Sequence, residues 1–345
     1  EIAKRRSRGE LITLLQIEDS DGRRWRRYET FSLAAAPPRA KSKTIFYFQE
    51  FFVVPGDYKI SVAVCDSNTS EYSFARRALH VARLHNDPLP AASVDLPPLE
   101  FVSPFGSPDS WFQPYVRGRL SLPIVTATPV RIEVMLNLSL SERAAGSLSA
   151  FRRNMSVLVP ALKVLAEMRP AGGVVNITLL DLTKRKIWEQ KEIRELKWDR
   201  IREPFAEANP GVIDAQSLAA KGQMTQFFWD QVLLRLRANS HERRVGVILG
   251  SPIFLEHQIR VEPAAVPRDA SRKVFYLRYR PLPRRPPVSS PTQGGAPVPQ
   301  APALPSDDIE HTLRALDSRN FNLLSPVEFR KALAAIIDAI RTWVE

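Results

Sequence analysis

In the first part of the chain, apolar and polar residues alternate with a period of two. Leu11 to Ile17 is apolar, Asp19-Ser-Asp-Gly22 is turn chemistry, and Trp25 to Phe31 alternates again. Thr44 to Val54 is rich in aromatic residues, and Ala75 to Leu84 supplies a further strand. Between them, Pro55-Gly-Asp delivers Tyr58 to a run that puts Tyr58, Ile60, Val62 and Val64 on one face. Short strands separated by turn signals predict an antiparallel β-sandwich over residues 1–86.

From Pro129 the pattern changes. Val130 to Leu138 and Val174 to Leu182 are nearly continuous apolar runs, and Val245 to Leu249 and Val274 to Tyr279 predict two more buried strands. Helical spacing appears over Leu148 to Met168, and Thr225 to Ala238 carries Phe228, Val232, Leu233 and Leu236 on one stripe. A short helix is expected over Ile213 to Ala220 and another over Asp307 to Leu316. A short edge strand is expected over Phe321 to Leu324. Ser325-Pro326-Val-Glu328 is a capping box with proline at the first helical position, and that helix is expected to run to Val344. Strands without polar alternation, separated by helices, predict an α/β, Rossmann-like domain with a mostly parallel sheet over 129–345. The overall class is therefore multidomain, α and β.

Residues 87–128 are rich in Pro and Ser and carry Phe101, Phe105, Trp111, Phe112 and Tyr115. They read as a connector whose aromatics pack on one or both domains, with Trp111 and Phe112 as candidate partner contacts. The stretch 281–305 is Pro-rich and too poor in apolar residues to pay for its own ordering; it reads as a disordered-type loop inside the second domain.

Two segments carry a family resemblance. "PGDYKISVAVCD" is similar to the late strand of immunoglobulin-like sandwiches; the hallmark disulfide is absent, so architecture alone carries over. The second domain resembles a von Willebrand factor A (vWA) domain, in particular vWA-related proteins of secreted or envelope fractions of some bacteria. The motifs are "VMLNLSLS" as first strand and metal loop, "GQMTQFFWDQVLLRL" as a threonine loop and helix, "VGVILGSP" as a strand end, and the closing "ALDSRNFNLLSPVEFRKALAAIIDAI".

In that family, Asp-x-Ser-x-Ser, a threonine and a second aspartate hold a divalent cation. The matching positions here are Asn137, Ser139, Ser141, Thr225 and Gly250, so both anionic positions are lost. Hard divalent cations take oxygen ligands that include carboxylates. The resemblance thus implies a degenerate site that binds no metal. Asp181 and Asp214 are near in sequence but not at the family's ligand positions. Candidate interaction residues are Asn137, Ser139, Ser141, Thr225 and Ser251, with Trp111 and Phe112.

Composition narrows the function. The formal charge of +12 favours acidic partners. Basic clusters at Lys4-Arg-Arg6, Arg23-Arg24, Arg26-Arg27 and Arg284-Arg285 accompany no nucleic-acid motif, which points to solvated surface or protein contact rather than specific nucleic-acid binding. The single cysteine, Cys65, allows no intramolecular disulfide and is expected to be a buried small hydrophobe. The five histidines show no HxxxH or HxH spacing. No apolar run suffices for a transmembrane helix. No Gly-rich phosphate loop, nucleophile elbow or His-centred constellation occurs, and Glu189, Glu192 and Glu195 read as a solvated hairpin or helix face. A start at Glu1 rather than Met is expected from removal of a signal peptide or from a shortened chain.

The expectation is a non-enzymatic protein-binding or assembly subunit, without cofactor, in a secreted or periplasmic setting. Two alternatives stay open: an adhesion-type vWA protein with an atypical cation site, and a basic surface that binds nucleic acid or another anionic polymer.

Overall fold

The computed structural model describes residues 9–32, 49, 51–89, 96–101, 122–141, 147–208, 223–237, 242–254, 269–279 and 306–343. The expected helix at 213–220, the loop at 281–305, the candidate contacts Trp111 and Phe112, Asp214 and most of the strand expected from Thr44 lie outside them. The chain divides into two compact units, 1–110 with 115–119, and 111–114 with 120–345. The division falls within the segment read as a connector.

In the first unit, β1 (Glu10–Asp19), β2 (Arg24–Ser32), β4 (Gly56–Asp66) and β5 (Tyr72–Val81) form an antiparallel sheet in the order β2-β1-β4-β5. The β1–β2 turn is closed by Asp19, whose Oδ1 accepts the amides of Asp21 and Arg23 at 3.0 and 2.8 Å. Gly22 takes φ +80°, the left-handed region that favours glycine. The short strands β3 (Phe51–Val53) and β6 (Leu99–Phe101) pair antiparallel. They pack on one face of the larger sheet, where Leu15, Ile17, Tyr58 and Leu99 form a core with Trp25, Phe51, Val53, Ile60 and Phe101 around it.

That core stops short of the full strand. Tyr58 and Ile60 are covered, but Val62, on the same face, is 37% exposed. Cys65 is half-buried rather than buried. Its register partner is Ile12, on the sheet face away from the core, where little apolar cover exists among the described residues.

In the second unit a six-stranded sheet runs β11-β10-β8-β12-β13-β14. Its strands are β8 (Val130–Asn137), β10 (Val174–Asp181), β11 (Lys186–Gln190), β12 (Arg243–Gly250), β13 (Arg272–Tyr279) and β14 (Arg319–Leu323). All pair in parallel except β11, which turns back antiparallel on β10. Of the glutamate run read as a solvated hairpin or helix face, Glu189 lies in the hairpin strand β11, but its carboxylate pairs with the buried Arg235 of the helix that begins at Met224; Glu192 and Glu195 follow the strand.

Helices cover both faces, which is why these strands lack polar alternation. They are α1 (Leu148–Leu165), α2 (Asp199–Glu207), α3 (Met224–Leu236), α4 (Asp308–Leu313) and α5 (Pro326–Arg341). Met135, Leu180, Ile248 and Tyr276 share a core with Phe228, Trp229 and Val232 of α3 and Ile309 and Leu313 of α4. On the other face, α1 lies over β8 and β12, and α5 lies over β14. Local chemistry starts α1 and α5: Ser147 accepts the Ala150 amide, and Ser325 accepts the Glu328 amide with Pro326 beginning the helix.

Several boundaries differ from the sequence reading: the strand expected over Ala75 to Leu84 is β5 at Tyr72–Val81, the helix expected over Asp307 to Leu316 is α-helical over Asp308–Leu313 and a 3-10 turn beyond, and two helix ends shift for identifiable reasons. α1 ends at Leu165, because Met168 enters a strand, β9 (Met168–Pro170), which pairs with β7 (Leu122–Ile124). Apolar periodicity cannot distinguish a buried strand residue from the last turn of a helix. α5 ends at Arg341 rather than Val344. Trp343 beyond it meets two cations, with Lys273 Nζ 4.6 Å and Arg243 Cζ 5.4 Å from the ring centre. Among the described residues, no helix is long and apolar enough to cross a membrane.

Candidate functional site

In chain order the strands of the parallel sheet read 3-2-1-4-5-6, so the order reverses at the first, β8, between β10 and β12. Open α/β sheets bind ligands at the carboxyl ends of strands flanking such a reversal. Asn137 ends β8, Asp181 ends β10, and Gly250 ends β12. The sequence motif therefore falls on the switch point.

Asn137 shapes the loop. Its Oδ1 accepts the Ser139 amide at 3.0 Å, an Asx turn that leads the chain off the strand. Ser139 Oγ accepts the amides of Leu182 and Thr183 at 2.8 and 3.3 Å and donates to Asp181 Oδ1 at 3.2 Å. A serine hydroxyl has one proton and two lone pairs, so Ser139 is fully engaged. Ser141 Oγ donates to the Pro252 carbonyl at 2.8 Å and accepts the Phe254 amide at 3.3 Å. Ser139 thus ties β8 to β10, while Ser141 ties it to the chain leaving β12.

Gly250 faces Asn137 directly. A Cβ at position 250 would lie 3.1 Å from Asn137 Cβ, so an aspartate there would crowd a side chain already held in its turn. Thr225 is the second residue of α3. Leu236, at the helix's other end, packs at Gly246 in the first half of β12, so α3 runs back along the strand and Thr225 lies toward the carboxyl rim. Thr225 Oγ1 and Ser251 Oγ are buried without a hydrogen-bond partner among the described residues.

Asp181, set aside on sequence grounds, is part of this rim. It is buried, and desolvation pushes its carboxyl above the ordinary value of 3.8; the Lys184 amide and charge and the Ser139 hydroxyl oppose that rise. The signal was the shared ending of two apolar runs, "MLN" and "LLD". Its meaning depended on the register, which aligns Leu180 with Asn137.

A second cluster went unread. Arg278, beside Gly250 in register, is buried on β13. It donates to Glu310 at 2.9 Å, to Asn322 at 2.7 Å and, at 3.4 Å, to Asp307. Tyr276 donates to the same Asp307 oxygen at 3.2 Å. Burial raises the Asp307 carboxyl above its ordinary range, against the Glu310 amide and Arg278, which favour its charged form. Asp307 also caps α4 by accepting the Glu310 amide. The cluster joins the end of β13 to the start of α4 on either side of residues 280–305.

No protein-family model matches this chain, and no curated protein matches it. Among the described residues, no group of three or more His, Cys, Asp or Glu is placed to hold a metal ion.

Proposed function

We propose that the chain is a non-enzymatic protein-binding or assembly subunit, with an immunoglobulin-like first unit and a vWA-like second unit that works without metal. The observation that carries this reading is the spent hydroxyl of Ser139. With two amides on its lone pairs and its proton on Asp181, it has no electron pair for a cation. Asn137 and Gly250 add no charge where the resembled family places its two carboxylates. The hydrogen bonds that close the loop do what a cation would otherwise do, which is to hold the strand ends in one shape.

The immunoglobulin-like reading is supported by Tyr58, buried at the start of β4, whose hydroxyl donates to the Val54 carbonyl at 2.8 Å. Tyrosines that bond back a few residues upstream mark corners in such sandwiches. The vWA-like reading is supported by the strand order and the placement of the Asn137–Ser141 loop at the switch point. The secreted or envelope setting follows from the same resemblance.

Capture of binding proteins by the full chain in EDTA tests this reading. A partner retained in EDTA and lost on Ser251→Arg supports it; a partner that binds only with Mg²⁺ or Ca²⁺ overturns it. That second outcome is the adhesion-type reading, favoured by the unpartnered hydroxyls of Thr225 and Ser251.

A further inference from the structure

The outer face of the first unit's sheet, opposite its core, carries an exposed apolar row. Register places Tyr28, Leu14, Ala63 and Phe74 side by side across all four strands, with Ile12, Cys65 and Tyr72 in the adjoining row. Tyr28, Phe74 and Tyr72 are 73%, 56% and 78% exposed. An apolar patch spanning a whole sheet is unusual for a surface that meets only water.

The rows on one side are cationic. Arg26, Gln16, Ser61 and Arg76 come next, then Arg24, Glu18, Lys59 and Ala78. In these two rows four cations face one carboxylate, Glu18, which is shared by Arg24 at 2.7 Å and Lys59 at 3.7 Å; the next carboxylate on this face, Asp57, is paired with His80 across the strands at 2.6 Å. The guanidinium groups are held in place: Arg26 donates to Gln16 at 2.7 Å, and Arg76 lies 5.8 Å from the Phe74 ring centre. Beyond the apolar rows, the other side offers Glu10 as its only carboxylate among the described residues of β1 and β2 on this face. Glu18 and Asp57 are already paired within the face, so a second copy brings an excess of cations to meet cations. Guanidinium groups fixed in position suit carboxylates, which they grip with two parallel bonds, better than the diffuse charge of a lipid surface.

We propose that this face docks a protein partner whose contact surface is aromatic or apolar at its centre and rich in Asp or Glu where it meets Arg24, Arg26, Lys59 and Arg76. The proposal rests on the protein-binding reading above but uses a different unit from the switch-point rim.

Binding of the full chain to a random glutamate–tyrosine copolymer tests it, with polyglutamate, phosphatidylserine vesicles and the chain's own self-association measured beside it. The copolymer binds about tenfold more tightly than polyglutamate. That gain disappears in Tyr28→Ser/Phe74→Ser, and Arg26→Glu/Arg76→Glu abolishes binding to both polymers, each variant keeping the wild-type melting temperature. Equal affinity for the two polymers overturns the proposal, as does full retention in the Tyr28→Ser/Phe74→Ser variant. Vesicle binding tighter than copolymer binding also overturns it, and so does a dimer lost on Phe74→Ser. None of these outcomes touches the metal-free reading of the second unit, whose failure shows instead as a divalent-ion requirement.

Discussion

Ser139 donates its hydroxyl proton to Asp181 at 3.2 Å, joining the carboxyl ends of β8 and β10 at the centre of the parallel sheet. Its lone pairs meanwhile serve the amides of Leu182 and Thr183. The bond makes the loop after β8 part of the framework of the domain.

Ser139→Ala removes the partner of two backbone amides and one carboxylate. Buried groups left without partners cost about 1–3 kcal/mol each, partly recovered where water enters. The expected result is a loss of about 2 kcal/mol in urea denaturation, with the slope unchanged. An unchanged midpoint would show that the hydroxyl is not a structural tie.

Asp181 gives a pH signature. Its folded carboxyl titrates above the 3.8 of the free group, chiefly through burial. The folded state then holds its proton where the unfolded state has released it, so this group's contribution to stability falls as pH rises from 3.8 through the raised value. Asp181→Asn keeps an acceptor for Ser139 and Lys184 and removes that titration. The stability of the wild type relative to Asp181→Asn is expected to decline across this window and to be flat above it. A difference that grows with pH would contradict the assignment.

Arg278 and Asp307 predict a non-additive pair. Removing one partner of a buried ion pair costs about 3–5 kcal/mol, whereas replacing both by apolar residues costs far less. Arg278→Met and Asp307→Leu are each expected to destabilise strongly. The double variant is expected to recover part of that loss, less the helix-cap bond from Asp307 to Glu310. Strict additivity in chemical denaturation would show that the two side chains do not act together.

Apolar patterning carried much of the fold. The runs at Val130, Val174, Val245 and Val274 read as buried strands because helices cover both their faces, and the Ser325-Pro326 start of α5 needs only local chemistry. What depended on partners distant in sequence was not legible. β7 and β9 are three-residue strands defined by each other. Val62 has a core-like pattern but lacks cover. The candidate site divided in the same way. Asn137, Ser139, Ser141 and Gly250 stood out as a motif, but Asp181 joins them only through register. Arg278 looks like a surface residue until β13 and α4 enclose it with Asp307.

Titration calorimetry of the full chain with Mg²⁺, Mn²⁺ and Ca²⁺ tests the central claim most directly. With the Ser139 hydroxyl committed to Leu182, Thr183 and Asp181, no saturable heat is expected for any of the three ions. A one-site isotherm that Ser139→Ala abolishes, in a variant still folded by circular dichroism, would contradict it.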